Sequence, residues 1–203
     1  MLHKKLFIPT LSLAAAMLLC SCGKSGEIIA SVNGVDIKKS DYELHLKNNE
    51  IMRELLTEDL KTAEISEEEK AAQLKRINDY CTTDEDAILH SMIETAYINS
   101  KYNAISHEDA KIEMERQFAN LDTYSEDYSQ TAAVGRIMDE YLKQSGLTKD
   151  EYIDIAAESY ASFVNKQKAK EKFANGKECS DDELEKQFDS FLKQEIDKAA
   201  VIY

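Results

Sequence analysis

Apolar residues recur along this chain at three- and four-residue intervals, the spacing that places them on one face of an α-helix. Ile88, Leu89, Met92, Ile93, Ala96 and Tyr97 form the cleanest stripe, and Ala110, Met114, Phe118 and Leu121 form another. Tyr152, Ile155, Ala156, Ser159 and Phe163 supply a third, and Leu184, Phe188, Phe191 and Leu192 a fourth. Helix starts punctuate the same stretches. Ser40 with Glu43, Ser66 with Glu69, Thr148 with Glu151 and Ser180 with Glu183 each place a hydroxyl three residues before a Glu. That is the spacing of a capping box, in which the two side chains satisfy helix-end N–H groups reciprocally. Thr83 with Asp86 and Ser106 with Asp109 are looser versions. Gly146 and Gly176 stand where helix C-caps are expected. The polar stretch 122–130 predicts a loop, and a further helix follows over 131–144.

The two ends read differently. Residues 27–32 (Glu-Ile-Ile-Ala-Ser-Val) are strand-like, and Asn33-Gly34 separates them from Val35-Asp36-Ile37. Asn-Gly between apolar segments signals a β-hairpin, because both turn residues tolerate positive φ. Ala199 to Tyr203 predict a short closing strand. A lone hairpin is marginal in water, so a third strand from the C-terminus would help fix it. The expected fold is mainly α, a multi-helix body over residues 27–203 with a small sheet formed by the N-terminal hairpin and the C-terminal strand.

Residues 1–21 do not belong to this pattern. Lys4 and Lys5 form a basic start, Leu6 to Leu19 form an apolar core interrupted by Pro9, and Ser21 precedes Cys22. This is the layout of a secretory signal, and the run is shorter than the ~20 residues a membrane span needs. With Leu19 at −3 and Ser21 at −1, it resembles a bacterial lipoprotein signal. The resemblance makes residues 1–21 a signal peptide, Cys22 the lipidated residue and 22–26 a tether, with the body held at the extracytoplasmic face of the cell membrane. Cys20 is the weaker candidate, because Leu19 would occupy the position that should be small. Stable attachment takes more than one acyl chain, which lipoproteins of this kind supply on a single cysteine.

Charge narrows the partners. The chain carries a net charge of −14, with 43% hydrophobic and 32% charged residues. Without Lys4 and Lys5 the remainder holds 23 basic and 39 acidic residues, a net charge of −16 with His neutral. Such a body is a poor ligand for nucleic acid, whose affinity rests on Lys and Arg contacts to phosphate. Anionic headgroups would repel it, so the lipid must do the anchoring. The only proline, Pro9, lies in the signal, and few glycines interrupt the rest, which favours long helices joined by short turns.

Little points to catalysis. His45, His90 and His107 stand apart, without a nearby Cys or second His. Paired metal-ligand spacings, phosphate loops and nucleophile elbows are missing from the sequence. Acidic triplets at 67–69 and 181–183 sit at helix starts, where they favour the macrodipole. The expectation is a non-enzyme with no catalytic residue, no metal and no cofactor. Cys81 and Cys179 lie in polar, turn-like stretches, where they either pair as one disulfide in an oxidising compartment or stay as two thiols.

Residues 29–42 (Ile-Ala-Ser-Val-Asn-Gly-Val-Asp-Ile-Lys-Lys-Ser-Asp-Tyr) resemble the opening of exported foldases of the SurA and PrsA type: strand, Asn-Gly, strand, capped helix. Residues 88–97 resemble the family's apolar helix, residues 105–110 its acidic capped helix, and residues 141–152 its Gly-Leu/Met-Thr-x-x-Glu junction. Phe191 to Tyr203 resemble the helix and strand that close the chaperone module. The parvulin domain that PrsA-type foldases insert ahead of that closure is missing, and with it the basis for isomerase activity. The resemblance implies a SurA N-terminal-like chaperone module without catalysis, whose partners would be unfolded or exported polypeptides. Ten Tyr and the methionines at 52, 92, 114 and 138 suit a surface for varied clients. An accessory lipoprotein with one dedicated protein partner is the alternative.

Overall fold

The hairpin sets the frame. Asn33 and Gly34 take positive φ, 50° and 81°, and Val32 pairs directly with Val35 across the two-residue turn. The computed structural model describes residues 26–124, 129–177 and 180–202. Strands β1 (Ile28–Val32) and β2 (Val35–Lys38) lead into helices α1 (Lys39–Thr62), α2 (Glu67–Tyr80), α3 (Glu85–Lys101) and α4 (His107–Tyr124). Helices α5 (Ser129–Ser145), α6 (Lys149–Ala174) and α7 (Asp181–Ala199) follow, and β3 (Ala200–Ile202) ends the described chain. Among the described residues the protein is a mainly helical body of seven helices with a small antiparallel sheet.

The sheet has the order β2-β1-β3. β1 is therefore central, with Ser31 opposite Asp36 on one side and Val201 on the other. A register shift between Ile28 and Ala30 leaves Ile29 as the extra residue of a bulge. Ala30, Val32 and Ile37 are fully buried, so one face of the sheet is sealed against the helices.

Most helix starts follow the sequence signals. Ser66 and Thr148 make complete capping boxes with Glu69 and Glu151. The Ser180 hydroxyl accepts from the Glu183 amide, and Ser106 accepts from the Asp109 amide. Two starts differ. Helix α1 begins at Lys39, with no side-chain cap, and the Ser40 hydroxyl donates to Asp41 instead. Its first free amide is satisfied from the sheet, where Lys39 N–H donates to the Glu27 carbonyl at 2.9 Å. Asp84, not Thr83, caps α3, accepting from the Ala87 amide at 2.8 Å. The Thr83 hydroxyl accepts from Arg53 of α1. The expected loop over 122–130 is shorter, because α4 runs to Tyr124 and α5 begins at Ser129; residues 125–128 lie outside those described.

Two apolar cores form. The helical core gathers Met52, Leu56 and Leu60 of α1, Ile77 and Cys81, and Met114 and Phe118 of α4 with Met138 and Tyr141 of α5. The first half of α6, from Tyr152 to Ala161, completes it. Tyr152 stands edge-on to Phe118 and to Tyr141, with ring centroids 5.3 and 5.6 Å apart. The sheet-side core gathers β1, Ile37 of β2, the α3 stripe, Ala169 of α6, and Phe188, Leu192 and Ile196 of α7. Each fully buried large side chain in either core contributes about 1.5–3 kcal/mol by leaving water. Phe163 departs from its stripe. It is 59% exposed, because α6 turns its inward face from Ala161 to Asn165 and Ala169.

Candidate functional site

Of the residues nominated from sequence, Cys81 lies among those described. Cys22 and Cys179 lie outside the described residues. Cys81 is a buried thiol at the end of α2, 2% exposed, and its N–H donates to the Ile77 carbonyl. The turn-like sequence around Cys81 suggested a polar setting; the helix end rolls the side chain inward, onto the helical core. Burial pushes its thiol up to about 11, with Arg53 opposing. A thiol so buried and so weakly acidic is a poor nucleophile at neutral pH. Tyr141 and Tyr152 are likewise raised by burial.

His90 and His107 are exposed and His45 is half-buried on α1. His107 approaches Asp154 at 3.8 Å, but Lys111 holds that carboxylate more closely, at 2.6 Å. Among the described residues, no three His, Cys, Asp or Glu side chains gather as a metal-binding group, and no helix is long and apolar enough to cross a membrane.

Buried asparagines lie where α1 and α6 pass from one core to the other. Asn165 of α6, 3% exposed, accepts from the Ala104 amide at 2.7 Å and donates to Asn99 Oδ1 at 3.0 Å. Beside it, Lys166 pairs with Glu94 of α3 at 2.5 Å. Asn49 of α1 donates to the Thr82 carbonyl at 2.8 Å. These bonds pin α1 and α6 to the connections they cross. Their role is positional.

Among the described residues, two open grooves serve as candidate binding surfaces. One runs between α1 and α2, lined by Glu50, Arg53, Glu54, Thr57, Glu58, Leu74 and Asn78. Its α1 wall repeats Glu every fourth residue, so the groove is acidic with a single apolar contact. The other lies where α7 passes the end of α6, with Phe173 and Phe191 as its apolar floor and Glu183, Lys186, Gln187, Ser190 and Gln194 around them. Phe173 and Phe191 stack with centroids 5.0 Å apart, Phe188 lies 5.6 Å from Phe173, and Lys177 sits over the Phe173 ring. The sequence marked Phe188 and Phe191 but missed Phe173, which belongs to no stripe. Its only signal is a place one turn after the buried Ala169. The α1–α2 groove was missed altogether; the recurring Glu50, Glu54 and Glu58 could have suggested it.

No family model, curated protein or solved structure matches this chain.

Proposed function

We propose that the protein is a membrane-anchored extracytoplasmic lipoprotein that binds unfolded or exported polypeptides as a chaperone, without prolyl isomerase or other catalytic activity. The observation that carries this reading is the order of elements around β1. A hairpin opens the body, capped helices follow, and a last helix and strand return to pair Val201 with Ser31. That is the closing arrangement implied by the likeness to SurA- and PrsA-type foldases. The signal layout ahead of Cys22 supports lipid anchoring at the cell membrane. Burying a few hundred Å² of client apolar surface at ~25 cal/mol/Å², less ordering costs, gives weak and exchangeable binding. The acidic surface favours basic or neutral clients.

The test is suppression of aggregation of several unfolded proteins by stoichiometric amounts of the purified protein. Protection of none of them removes the reading. Anchoring is tested separately by Cys22→Ser, which should release the protein from the membrane fraction. A proline-limited refolding assay should show no acceleration.

A second reading, an adaptor with one dedicated protein partner, draws on the mainly polar lining of the α1–α2 groove. A fixed polar patch suits one partner better than many. Pulldown from membranes separates the two, since one stoichiometric partner favours the adaptor and many substoichiometric clients favour the chaperone.

A further inference from the structure

Helix α7 is held differently from α6. Buried residues run through α6 from Tyr152 to Ala169, and its Asn165 and Lys166 are bonded to other elements. Only Phe188, Leu192 and Ile196 of α7 are buried, spaced four residues apart. Its first two turns lie at the surface, with Leu184 alone half-buried. Polar contacts flank these anchors. Lys170 of α6 pairs with Glu185, and near the other end Glu195 pairs with Lys198 of its own helix at 2.7 Å. Then β3 adds three residues along the second edge of β1. Beneath this segment lies a continuous apolar surface from β1, the α3 stripe and Ala169.

We propose that α7 and β3 form a displaceable strap, and that the trench beneath is the binding surface for a matching segment of another polypeptide. This rests on the client-binding reading above and names the client's chemistry. The segment is an amphipathic helix with apolar side chains at i, i+4 and i+8, a carboxylate ahead of the first of them, and a short extended tail. The chain's own seated segment supplies that template. Lys170 gives the trench a basic rim at one end, so an acidic flank is accepted there although the protein as a whole is acidic. Exchange costs little in contacts, because the incoming segment re-forms what the strap gives up: three apolar anchors, one carboxylate contact and the edge pairing with β1. A high local concentration of the segment offsets the advantage that tethering gives the strap.

The test uses a fluorescent peptide of residues 181–203 and a lock across the sheet. Ser31 and Val201 are opposed in register. Opposed residues of antiparallel strands have Cα atoms about 4.5–5.5 Å apart, within the span a disulfide bridges. Ser31→Cys with Val201→Cys should therefore bond when oxidised, which peptide mass mapping reads. The peptide should bind the wild-type protein, and its Phe188→Asp form should bind at least about tenfold more weakly. Oxidation of the locked variant should abolish binding and reductant should restore it. Equal binding to the oxidised and reduced forms, or no binding to wild type, overturns the proposal.

Hydrogen exchange on the wild-type protein gives an independent reading. Amides of α7 should open together and faster than those of α6, and equal protection overturns the strap. A locked protein that still suppresses aggregation at wild-type level overturns the strap and leaves the chaperone reading standing. Wild-type protein that binds the peptide but protects no client supports the strap and ends the chaperone reading.

Discussion

The helical core and the sheet-side core are built from the same kinds of residue but by different routes. The helical core draws only on residues 52–161, helix against helix, with edge-on aromatic rings at its centre. The sheet-side core draws on both ends of the chain, residues 30–37 and 188–196, and closes them over the α3 stripe. Helices α1 and α6 pass through both. Each changes core at a buried asparagine: Asn48 and Asn49 precede Met52 in α1, and Asn165 lies between Ala161 and Ala169 in α6. Polar bonds at the border cost more to misplace than apolar contacts, because a buried amide without its partner is strongly penalised. Asn49 and Asn165, the two whose amides are bonded, thus fix where one core stops and the other begins.

The sharpest break of this comparison is an aromatic truncation in each core. Tyr152→Ala and Phe188→Ala should each cost about 3–5 kcal/mol in urea unfolding, the range for aromatic-to-alanine changes in a packed core. Their local effects should differ. Cys81, held protonated near pH 8 by a pKa pushed up to about 11, should become reactive to thiol reagents in native Tyr152→Ala. It should stay protected in native Phe188→Ala, as read by peptide mapping. Equal exposure in both variants would mean that the two cores open as one.

A smaller effect sharpens the border. Asn165→Ala leaves the Ala104 amide and Asn99 without their bonds, and should cost about 1–3 kcal/mol. Its signature should be faster amide exchange at Ala104.

How much of this was legible in the sequence depends on how local the cause is. The Asn33-Gly34 turn, the boxes at Ser66 and Thr148 and the glycine ends at Gly146 and Gly176 are set by neighbours within four residues, and the structure has them there. Ser40 was misplaced because the helix already starts at Lys39, whose amide is satisfied by the Glu27 carbonyl ahead of the first strand. Cys81 and Phe163 were assigned the wrong surroundings for a related reason. A stripe gives the inward face of a helix, but not the residue at which its partner changes or ends. The division into two cores, and both grooves, depend on which helices meet, and periodicity is silent on that.

Two further changes test the local causes themselves. Thr148→Ala removes a working cap and should cost about 1 kcal/mol, whereas Ser40→Ala should stay within about 0.5 kcal/mol, as for a surface change that breaks nothing. The smallest expected effect is acidic. Hydrogen bonds from Arg116, then Gln117, lower the Glu113 carboxyl from 4.5 to about 2. A group depressed on folding stabilises above its unfolded value and loses that contribution as pH falls towards its folded value. Glu113→Gln should therefore flatten the fall in stability between about pH 4.5 and 2, measured by urea titration at each pH.

The pairing of Ala30 with Ile202 also imposes a schedule on a chain that emerges from its N-terminus. Every residue of the helical core is available once Ala161 has appeared, so that half can mature early. The opening strand must wait with one edge bare until the last few residues arrive, and such long-range pairing is slow and exposed to misassembly. During that interval the newborn molecule carries the vacancy into which a stranger's strand could slip.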